Sequence, residues 1–207
     1  MRILICDDHK IVREGLKQIL HQINDIVVDE AQNGEEALKT VKESIYDVVL
    51  MDISLPDKNG LEVLSIIKER YPGMNVLMLS MLPQEQYAKR ALKLGASGYL
   101  TKDTASEELI TAIRRISKGG KYISQSLAEN LADSLGGNNI ESLHETLSDR
   151  EFDVMLKIAK GYSLMDIGNN LCISVKTVST YRTRILEKMK MTKNADITMY
   201  CIKNELI

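Results

Sequence analysis

The chain has 207 residues, of which 44% are hydrophobic and 27% are charged, and its formal net charge is −2. This length suits one large domain or two ordinary ones, and the composition is typical of proteins with packed cores. The sequence has no apolar run long enough to span a bilayer and no secretory signal pattern, so we expect no membrane segment and a cytoplasmic location. Its three cysteines are far apart and form no CxxC pair, which disfavours a disulfide framework and a zinc site.

The basic residues are concentrated near the C-terminus. Residues 145–207 hold ten Lys and Arg against eight Asp and Glu, a net charge of +2, whereas residues 1–144 have a net charge of −4. Six of these ten basic residues lie within 175–193, together with a single acid, Glu187. A solvated helix face is the ordinary alternative, but such a face more often mixes both signs. The pattern therefore indicates contact with a polyanion.

Five short apolar runs alternate with helical spacing over residues 1–117. The predicted strands cover Arg2–Cys6, 25–31, 48–52, 75–80 and 97–102. Strands that alternate with helices predict an α/β domain with a doubly wound, five-stranded parallel sheet. Within this region, Thr104-x-x-Glu107 is a capping-box sequence and predicts the start of a helix that reaches Ser117.

Four of the five predicted strands end at residues that can carry chemistry. Asp7 and Asp8 follow the first strand, Asp52 ends the third, Ser80 the fourth and Lys102 the fifth. The carboxyl ends of parallel strands share one edge of the sheet, and ligands bind there in open α/β folds. Each residue alone could be an ordinary loop or surface residue. Because all five lie at strand ends, we interpret them as one site.

The residue types at these strand ends suit phosphoryl transfer. Three neighbouring carboxylates repel unless a divalent cation joins them, and oxygen ligands favour Mg²⁺, which keeps water molecules and shares its shell with a phosphate. Asp52 can then act as a carboxylate nucleophile toward a phosphoryl donor. Mg²⁺ and Lys102 would neutralise the phosphoryl oxygens, and the Ser80 hydroxyl would hydrogen-bond one of them.

This region resembles the receiver domain of two-component response regulators, which has a flavodoxin-like fold. The matching residues, in the order and spacing of that family, are Asp7, Asp8, Asp52, Pro56, Gly60, Ser80, Tyr99, Leu100 and Lys102. The resemblance implies that Asp52 accepts a phosphoryl group from a phosphohistidine on a sensor histidine kinase. It also implies a Mg²⁺ site formed by Asp7, Asp8, Asp52 and the backbone carbonyl of Ser54.

The same resemblance implies that Ser80 and Tyr99 form a switch pair. The Ser80 hydroxyl moves toward the phosphoryl group, Tyr99 turns inward, and the surface around the fourth and fifth strands changes. Leu82 places an apolar side chain where water reaches the phosphoryl group, so we hypothesise that it lengthens the phosphoryl lifetime. The autodephosphorylation rate of Leu82→Asn tests this hypothesis, and an unchanged or slower rate would contradict it.

Composition divides the chain into three parts. We predict a phosphoacceptor domain at residues 1–120, a linker with a short helix at 121–145 and a second, smaller domain at 146–207. The short helix is predicted at 124–135. Residues 136–142, GGNNIES, have the strongest linker composition in the chain.

The second domain is predicted to be all-α. Ser148, Ser163 and Ser174 are placed to cap the starts of successive helices. A short helix at 164–171, a three-residue turn and a longer basic helix at 175–189 form a helix-turn-helix arrangement. The second helix of such an arrangement fits the major groove of DNA.

Residues 147–189 resemble the LuxR-type helix-turn-helix. The shared features are LS-x-RE, the helix-ending Gly161, I-S-x-K-T-V at the turn and I-L-x-K-M at the end. With the receiver resemblance, the chain is identified as a member of the NarL/FixJ family of response-regulator transcription factors. This implies binding to double-stranded promoter DNA, and a homodimer in the phosphorylated or DNA-bound state.

Family positions divide the candidate DNA contacts into two groups. Ser179, Thr180 and Thr183 would face base edges, whereas the expected phosphate contacts are Lys176, Thr177, Tyr181, Arg182, Arg184 and Lys188. Many members have Lys and His at positions 179 and 181, so this chain would read bases through short hydroxyl and methyl contacts. Gly168 replaces the usual Ala, either to let the two helices approach closely or as neutral drift, and we favour drift.

The helix predicted at 194–203 is too apolar to bury all its side chains on one face. We predict that part of it packs on the domain and that the rest forms the dimer contact on DNA. His9, His21 and His144 belong to no visible cluster, and we expect them at the surface.

Two other functions were weighed against a regulator. A phosphatase of the aspartyl-phosphate type usually has its nucleophile in a DxD pattern after the first strand, and here His9 and Lys10 follow Asp8. Turnover of small phosphoesters would reveal such an enzyme. An RNA-binding or adaptor module needs stacking aromatic residues, and the basic helix contains only Tyr181. We therefore expect a regulator that is not an enzyme.

Overall fold

The computed structural model describes residues 1–81, 84–124, 127–129, 143–204 and 206–207, except for the side chains of 84–86. The chain divides into two compact units, Met1–Gly136 and Gly137–Ile207. Leu82, the linker at 136–142 and most of the helix predicted at 124–135 lie outside the described residues. Within the described part of the chain, no helix is both long enough and apolar enough to cross a membrane.

The first unit is a five-stranded sheet with helices between its strands. The strands are β1 (Arg2–Cys6), β2 (Val27–Ala31), β3 (Val48–Asp52), β4 (Val76–Ser80) and β5 (Gly98–Thr101). The helices are α1 (Lys10–Leu20), α2 (Gly34–Glu43), α3 (Gly60–Arg70), α4 (Gln84–Lys93) and α5 (Ala105–Ile116). All neighbouring strands pair in parallel, in the order β2-β1-β3-β4-β5, which confirms the predicted doubly wound sheet.

The strand order reverses between β1 and β3. From β1 the chain goes to β2 on one side and then returns to β3 on the other side. Such a switch point leaves a crevice at the carboxyl ends of the two strands. The side chains of β3 and β4 are buried throughout, which explains why these strands are continuous apolar runs in the sequence.

Alternate strand residues pack against different helices. Ile3, Leu50 and Leu77 belong to a core that also contains Leu16 of α1 and Leu109 of α5. The other three helices of this unit form a second group, in which α3 contacts both α2 and α4. The two-residue period of the strands thus supplies apolar side chains to two helical layers.

Two asparagines cap helices α2 and α3, whereas the side-chain cap predicted for Thr104 is wrong. The side chain of Asn33 accepts a hydrogen bond from the Glu36 amide, and that of Asn59 accepts one from Leu61. Thr104 makes no side-chain cap to α5 because its backbone is already helical. Its hydroxyl donates instead to the Thr101 carbonyl at 3.2 Å.

The segment after α5 returns to the sheet. Tyr122 forms a parallel bridge with Gly98, accepts a hydrogen bond from the Tyr99 amide at 3.3 Å and donates one to the Ser97 carbonyl at 2.9 Å. A Cβ atom on Gly98 would overlap the Tyr122 carbonyl, so a glycine is required there. The domain boundaries expected from the sequence, 1–120, 121–145 and 146–207, stay a prediction.

The second unit is built from helices. A 3-10 turn (Leu143–Thr146) precedes α6 (Asp149–Ala159), α7 (Leu164–Asn170), α8 (Val175–Lys188) and α9 (Asn194–Lys203). Ser148, Ser163 and Ser174 each accept a hydrogen bond from the backbone amide three residues later, which confirms the three predicted caps. Helix α6 contacts α8 and α9, and α7 packs on α8. The predicted all-α second domain is thereby confirmed.

The turn between α7 and α8 explains Gly168. The Ile173 amide donates to the Gly168 carbonyl at 3.0 Å, and Cys172 has a left-handed backbone with φ of 53°. A Cβ atom on Gly168 would lie 2.8 Å from the Ile173 carbonyl oxygen. The drift interpretation is therefore wrong, because an alanine would force this turn to shift.

The three cysteines are free thiols. Cys6 and Cys201 are buried, whereas Cys172 is exposed. Burial raises the pKa of Cys6 well above its ordinary range and that of Cys201 to about 11. The two buried thiols therefore stay protonated and unreactive at neutral pH.

Candidate functional site

A buried acidic pocket lies at the crevice between β1 and β3. Asp52 is the last residue of β3, Asp7 directly follows β1, and both side chains are only 3% exposed. Lys102 directly follows β5, and its ammonium lies 2.7 Å from Asp7 Oδ2 and 2.7 Å from Asp52 Oδ2. The structure thus brings together three of the residues that were predicted from strand ends.

The surroundings in the pocket shift the pKa values of Asp52 and Lys102. Burial raises the pKa of Asp52, and the Lys102 ammonium offsets only part of that rise. Burial alone would lower the pKa of Lys102, but the Asp52 carboxylate and the hydrogen bonds to Asp52 and Asp7 outweigh it, so the pKa is raised. Lys102 therefore stays charged and holds the two carboxylates together.

Asp8 and His9 lie at the entrance of the pocket. His9 Nδ1 is 2.7 Å from Asp8 Oδ1 and 3.5 Å from Asp7 Oδ1. One ligand atom from each of Asp7, Asp8, His9 and Asp52 lies within 4.8 Å of the others. The expectation that His9 belongs to no cluster is wrong, and its position directly after two acids was the signal in the sequence. Three carboxylates suit a hard cation such as Mg²⁺.

The loop after β3 is held closely against Asp52. The Ser54 amide donates to Asp52 Oδ1 at 3.2 Å, and the Gly60 amide donates to the Ile53 carbonyl at 2.8 Å. A Cβ atom on Gly60 would overlap the backbone carbonyl of Asp52. Gly60 therefore lets α3 begin directly beneath the candidate phosphoacceptor.

Asp57, which our sequence analysis did not single out, anchors the same loop to α2. Its carboxylate accepts hydrogen bonds from the Gly34 and Glu35 amides at 2.7 and 2.8 Å. Burial raises the pKa of Asp57, but these backbone donors outweigh it, so the pKa is lowered. An anion at a helix N-terminus is favoured by the free amides there.

The candidate switch residues lie on neighbouring strands. Ser80 ends β4, Tyr99 lies within β5, and both are fully buried. The Lys102 amide donates to the Ser80 carbonyl at 2.9 Å, so the strand end that carries Ser80 is joined to the residue that carries the pocket ammonium.

The second candidate site is the outer surface of α8. Of the predicted DNA contacts, Lys176, Ser179, Thr180, Thr183, Arg184 and Lys188 are exposed, whereas Thr177, Tyr181 and Arg182 are half-buried. A shallow groove at the start of the helix is lined by Ser174, Lys176, Thr177, Thr180, Tyr181 and Arg184. The structure thus gathers five of the nine predicted contacts around one groove.

Two of the predicted phosphate contacts are paired within their own unit. Lys188 Nζ lies 2.6 Å from Glu151 Oε2 in α6, and Arg182 Nε donates to Asn194 Oδ1 in α9 at 2.6 Å. These two contacts join the C-terminal half of α8 to α6 through Lys188 and to α9 through Arg182. Each residue therefore has a role in positioning α8.

Two threonine hydroxyls on α8 donate to carbonyl groups of their own helix. Thr180 donates to the Lys176 carbonyl at 3.0 Å, and Thr183 donates to the Ser179 carbonyl at 3.1 Å. The methyl groups and the oxygen lone pairs of both threonines are not used in these bonds and could contact DNA. A methyl group can contact the thymine methyl in the major groove.

Helix α9 has one buried and one exposed apolar side. Ile197 and Cys201 are fully buried, whereas Met199 is 71% exposed and Ile202 is 61% exposed. The prediction that part of this helix packs on the domain is confirmed.

Comparisons with known proteins agree with this arrangement. Residues 3–114 match the family of response regulator receiver domains, and residues 145–201 match the luxR family of bacterial regulatory proteins. The response regulator GacA of Pseudomonas aeruginosa is 34% identical over 209 residues, which cover 100% of this chain and 98% of GacA. The oxygen regulatory protein NreC of Staphylococcus carnosus is 35% identical over 215 residues, which cover 100% of this chain and 99% of NreC.

Solved structures show the same architecture. A LuxR-family two-component response regulator from Aurantimonas is 33% identical, with a TM-score of 0.61 over 66% of this chain and 98% of that one. RcsB of Salmonella enterica, bound to the rprA promoter with the phosphomimetic BeF₃⁻, is 24% identical and shares the fold, with a TM-score of 0.64 over 97% of this chain and 98% of that one. This chain therefore belongs to the NarL/FixJ family of two-component response regulators, with a receiver domain followed by a LuxR-type DNA-binding domain.

Proposed function

We propose that Asp52 accepts a phosphoryl group from the phosphohistidine of a sensor histidine kinase, and that the phosphorylated chain binds promoter DNA as a homodimer. The observation that carries this proposal is the ammonium of Lys102, 2.7 Å from both Asp52 and Asp7 in a buried pocket. The aspartyl phosphate serves as a signal for the attached DNA-binding domain. The chain therefore acts as a regulator rather than an enzyme, and works in the cytoplasm where the DNA lies.

In the transfer step, a carboxylate oxygen of Asp52 attacks the phosphorus. The new O–P bond forms as the P–N bond to the kinase histidine breaks, and the electron pair of that bond stays on the imidazole. Lys102 then neutralises a phosphoryl oxygen in place of the two carboxylates it now joins, and the Ser80 hydroxyl donates a hydrogen bond to another.

The metal ligands would be Asp7, Asp8, Asp52 and the backbone carbonyl of Ser54. Mg²⁺ bound there supplies positive charge that offsets the charge of the phosphoryl group. The carboxylates of Asp7 and Asp52 are held near each other by Lys102, so little rearrangement of the protein is needed for them to share a cation.

Phosphorylation with acetyl phosphate and Mg²⁺ tests the first step. The phosphorylated fraction is measured by phosphate-affinity electrophoresis of the full chain. We expect wild type and Glu69→Gln, which changes an exposed acid on α3, to be phosphorylated equally. Asp52→Asn and removal of Mg²⁺ with EDTA should each abolish the modification. Modification of Asp52→Asn to the wild-type level would refute the assignment of the phosphoacceptor.

Genome-wide DNA footprinting tests the second step. Wild type treated with acetyl phosphate should protect a defined set of promoters, and Asp52→Asn treated in the same way should protect them only at much higher protein concentration. Protection that does not depend on Asp52 would separate DNA binding from phosphorylation and contradict the proposed coupling.

The homodimer is assigned to the exposed side of α9. Burying Met199 and Ile202 against a second copy would remove two large apolar side chains from water. We expect Met199→Glu to bind an isolated half-site normally but to lose binding to paired half-sites. Ile45→Glu introduces the same charge at an exposed apolar position of the other unit and should leave both affinities unchanged.

A further inference from the structure

His9 places a ring nitrogen among the carboxylates of the receiver pocket. Its Nδ1 atom is 2.7 Å from Asp8 Oδ1 and 3.5 Å from Asp7 Oδ1. The described residues contain one group of His, Cys, Asp and Glu side chains with the spacing of a metal site, and His9 belongs to it with Asp7, Asp8 and Asp52. In this contact Nδ1–H donates to the Asp8 carboxylate. The other tautomer of the neutral ring, with its hydrogen on Nε2, would present the Nδ1 lone pair beside the oxygen ligands of the pocket.

The distances around His9 are those of neighbouring ligands. Ligands about 2.1 Å from an octahedral ion are about 3 Å apart when adjacent. The two distances from His9 Nδ1, 2.7 and 3.5 Å, lie on either side of that value. A cation could replace the direct contact between His9 and Asp8 with small movements of both side chains.

The backbone holds His9 in place, and its ring has no role as a helix cap. His9 is the N-cap residue of α1, yet its side chain makes no capping hydrogen bond. Its amide donates to Asp7 Oδ1 at 2.9 Å, which fixes the residue beside the pocket. The His9 side chain is 63% exposed, so the ring lies on the solvent side of the pocket.

Lys102 leaves the His9 side of the pocket open. The ammonium contacts Oδ2 of Asp7 and Oδ2 of Asp52, whereas the His9 amide and ring approach Oδ1 of Asp7. The cationic lysine and the imidazole thus lie toward different oxygens of the same carboxylate. A metal bound beside His9 would not have to displace the lysine.

We propose that His9 is an additional ligand of the receiver metal site, and that it makes the site prefer first-row transition cations such as Mn²⁺ over Mg²⁺. Imidazole nitrogen suits such ions, whereas Mg²⁺ favours oxygen ligands and retained water. The inference rests on the proposed function, because it assumes that Asp7, Asp8 and Asp52 bind a divalent cation. His9 is then a residue that determines metal specificity.

Pulsed electron paramagnetic resonance of bound Mn²⁺ tests the ligation directly. The full chain is loaded with Mn²⁺, and modulation by imidazole nitrogen is recorded for wild type, His9→Asn and His21→Asn. Wild type and His21→Asn should show the nitrogen coupling, and His9→Asn should lose it. Asparagine is a favourable N-cap residue, so this variant keeps the start of α1.

Titration with each metal tests the specificity. His9→Asn should bind Mn²⁺ at least about tenfold more weakly, since even partners outside the ligand shell contribute that much to affinity. Its affinity for Mg²⁺ should remain within about twofold of wild type, because Mg²⁺ gains little from imidazole. Equal losses for both metals would overturn the proposed specificity.

The outcomes separate this inference from the proposed function. Mn²⁺ that binds in an Asp7-dependent manner without nitrogen coupling would leave the metal site standing and overturn the role of His9. Nitrogen coupling that persists in His9→Asn would also overturn it. If wild type binds neither Mn²⁺ nor Mg²⁺, or if Asp7→Asn binds both as tightly as wild type, the metal site of the proposed function is contradicted instead.

Discussion

The acidic pocket of the receiver collects residues that follow or end β1, β3 and β5, whereas the surface of α8 takes its candidates from one helix of 14 residues. Asp7, Asp52 and Lys102 are largely buried in the pocket, and Asp52 and Lys102 shift each other's pKa values. Those on α8 are mostly exposed and point toward solvent. A change in the pocket should therefore affect several groups at once, whereas contacts on α8 should act nearly independently.

The largest expected effect is that of Gly60→Ala. The added Cβ would overlap the Asp52 carbonyl, and because backbone must move, we expect the free energy of unfolding to fall by about 3 kcal/mol or more. Urea denaturation measures this loss. Gly15→Ala is the matched control, since a Cβ there meets nothing within 4 Å, and it should stabilise α1 by up to about 1 kcal/mol. Equal stability of the two variants would contradict the close packing beneath Asp52.

Lys102→Met should be next in size. The substitution removes the ammonium that contacts Asp52, and with it positive charge that would offset the phosphoryl group, so we expect phosphorylation of Asp52 to slow by about 100-fold or more. Initial rates with acetyl phosphate measure the effect, and Lys118→Met changes an exposed lysine of the same unit as a control. A rate within a fewfold of wild type would show that the lysine contributes little beyond the metal.

Glu151→Gln tests whether a buried carboxylate outside the pocket, paired with the exposed Lys188, also depends on its charged partner. Burial raises the pKa of Glu151, but hydrogen bonds from Lys188 and Ser148 outweigh it, so the pKa is lowered. A carboxyl with a lowered folded pKa stabilises the fold above its unfolded pKa and loses that effect as the pH falls through the folded value. We expect Glu151→Gln to lower the free energy of unfolding at neutral pH by about 1–3 kcal/mol.

The pH dependence distinguishes charge from packing at Glu151. Wild type should lose stability in its second unit on acidification below the ordinary glutamate pKa of 4.5, and Glu151→Gln should lose less over the same range. Glu187→Gln, an exposed acid on α8, should follow the wild-type curve. Parallel curves for wild type and Glu151→Gln would mean that the ion pair with Lys188 contributes nothing measurable.

The smallest effects are expected on the α8 surface. Lys176→Ala should weaken binding to all DNA about equally and lower the slope of log affinity against log salt by about 1. Thr180→Ala should relax sequence preference instead. Thr180→Val keeps a methyl group and Thr180→Ser keeps the hydroxyl, so their comparison shows which group is read. Equal losses on specific and random DNA for Lys176→Ala and Thr180→Ala would refute the division of roles.

Long-range features with a simple geometric rule could be predicted from the sequence. Parallel strands must end at one edge of a sheet, so Asp7, Asp52 and Lys102 were expected together although Lys102 is 50 residues from Asp52. The caps at Ser148, Ser163 and Ser174 were also predictable, because each depends only on the next three residues.

Features that depend on tertiary packing could not be predicted in this way. Lys188 was assigned to phosphate contact by its family position, and its pairing with Glu151, 37 residues earlier in α6, was not foreseen. Gly168 was interpreted as drift. The close approach of the Ile173 carbonyl depends on the shape of the turn, which the sequence alone does not show. Thr104 has the capping sequence, but its own backbone is already helical, so its side chain does not cap α5.

The backbone bonds of Tyr122 have a consequence for signalling. The amide of the candidate switch residue Tyr99 donates to the Tyr122 carbonyl, and the Tyr122 amide donates to Ser97, two residues before Tyr99. The strand that carries Tyr99 and the chain that follows α5 are therefore joined by backbone hydrogen bonds and one isolated parallel bridge. A rearrangement that displaces β5 must therefore either move Tyr122 with it or break these hydrogen bonds. Through them, a movement of the candidate switch strand would be passed on to the chain segment that follows α5.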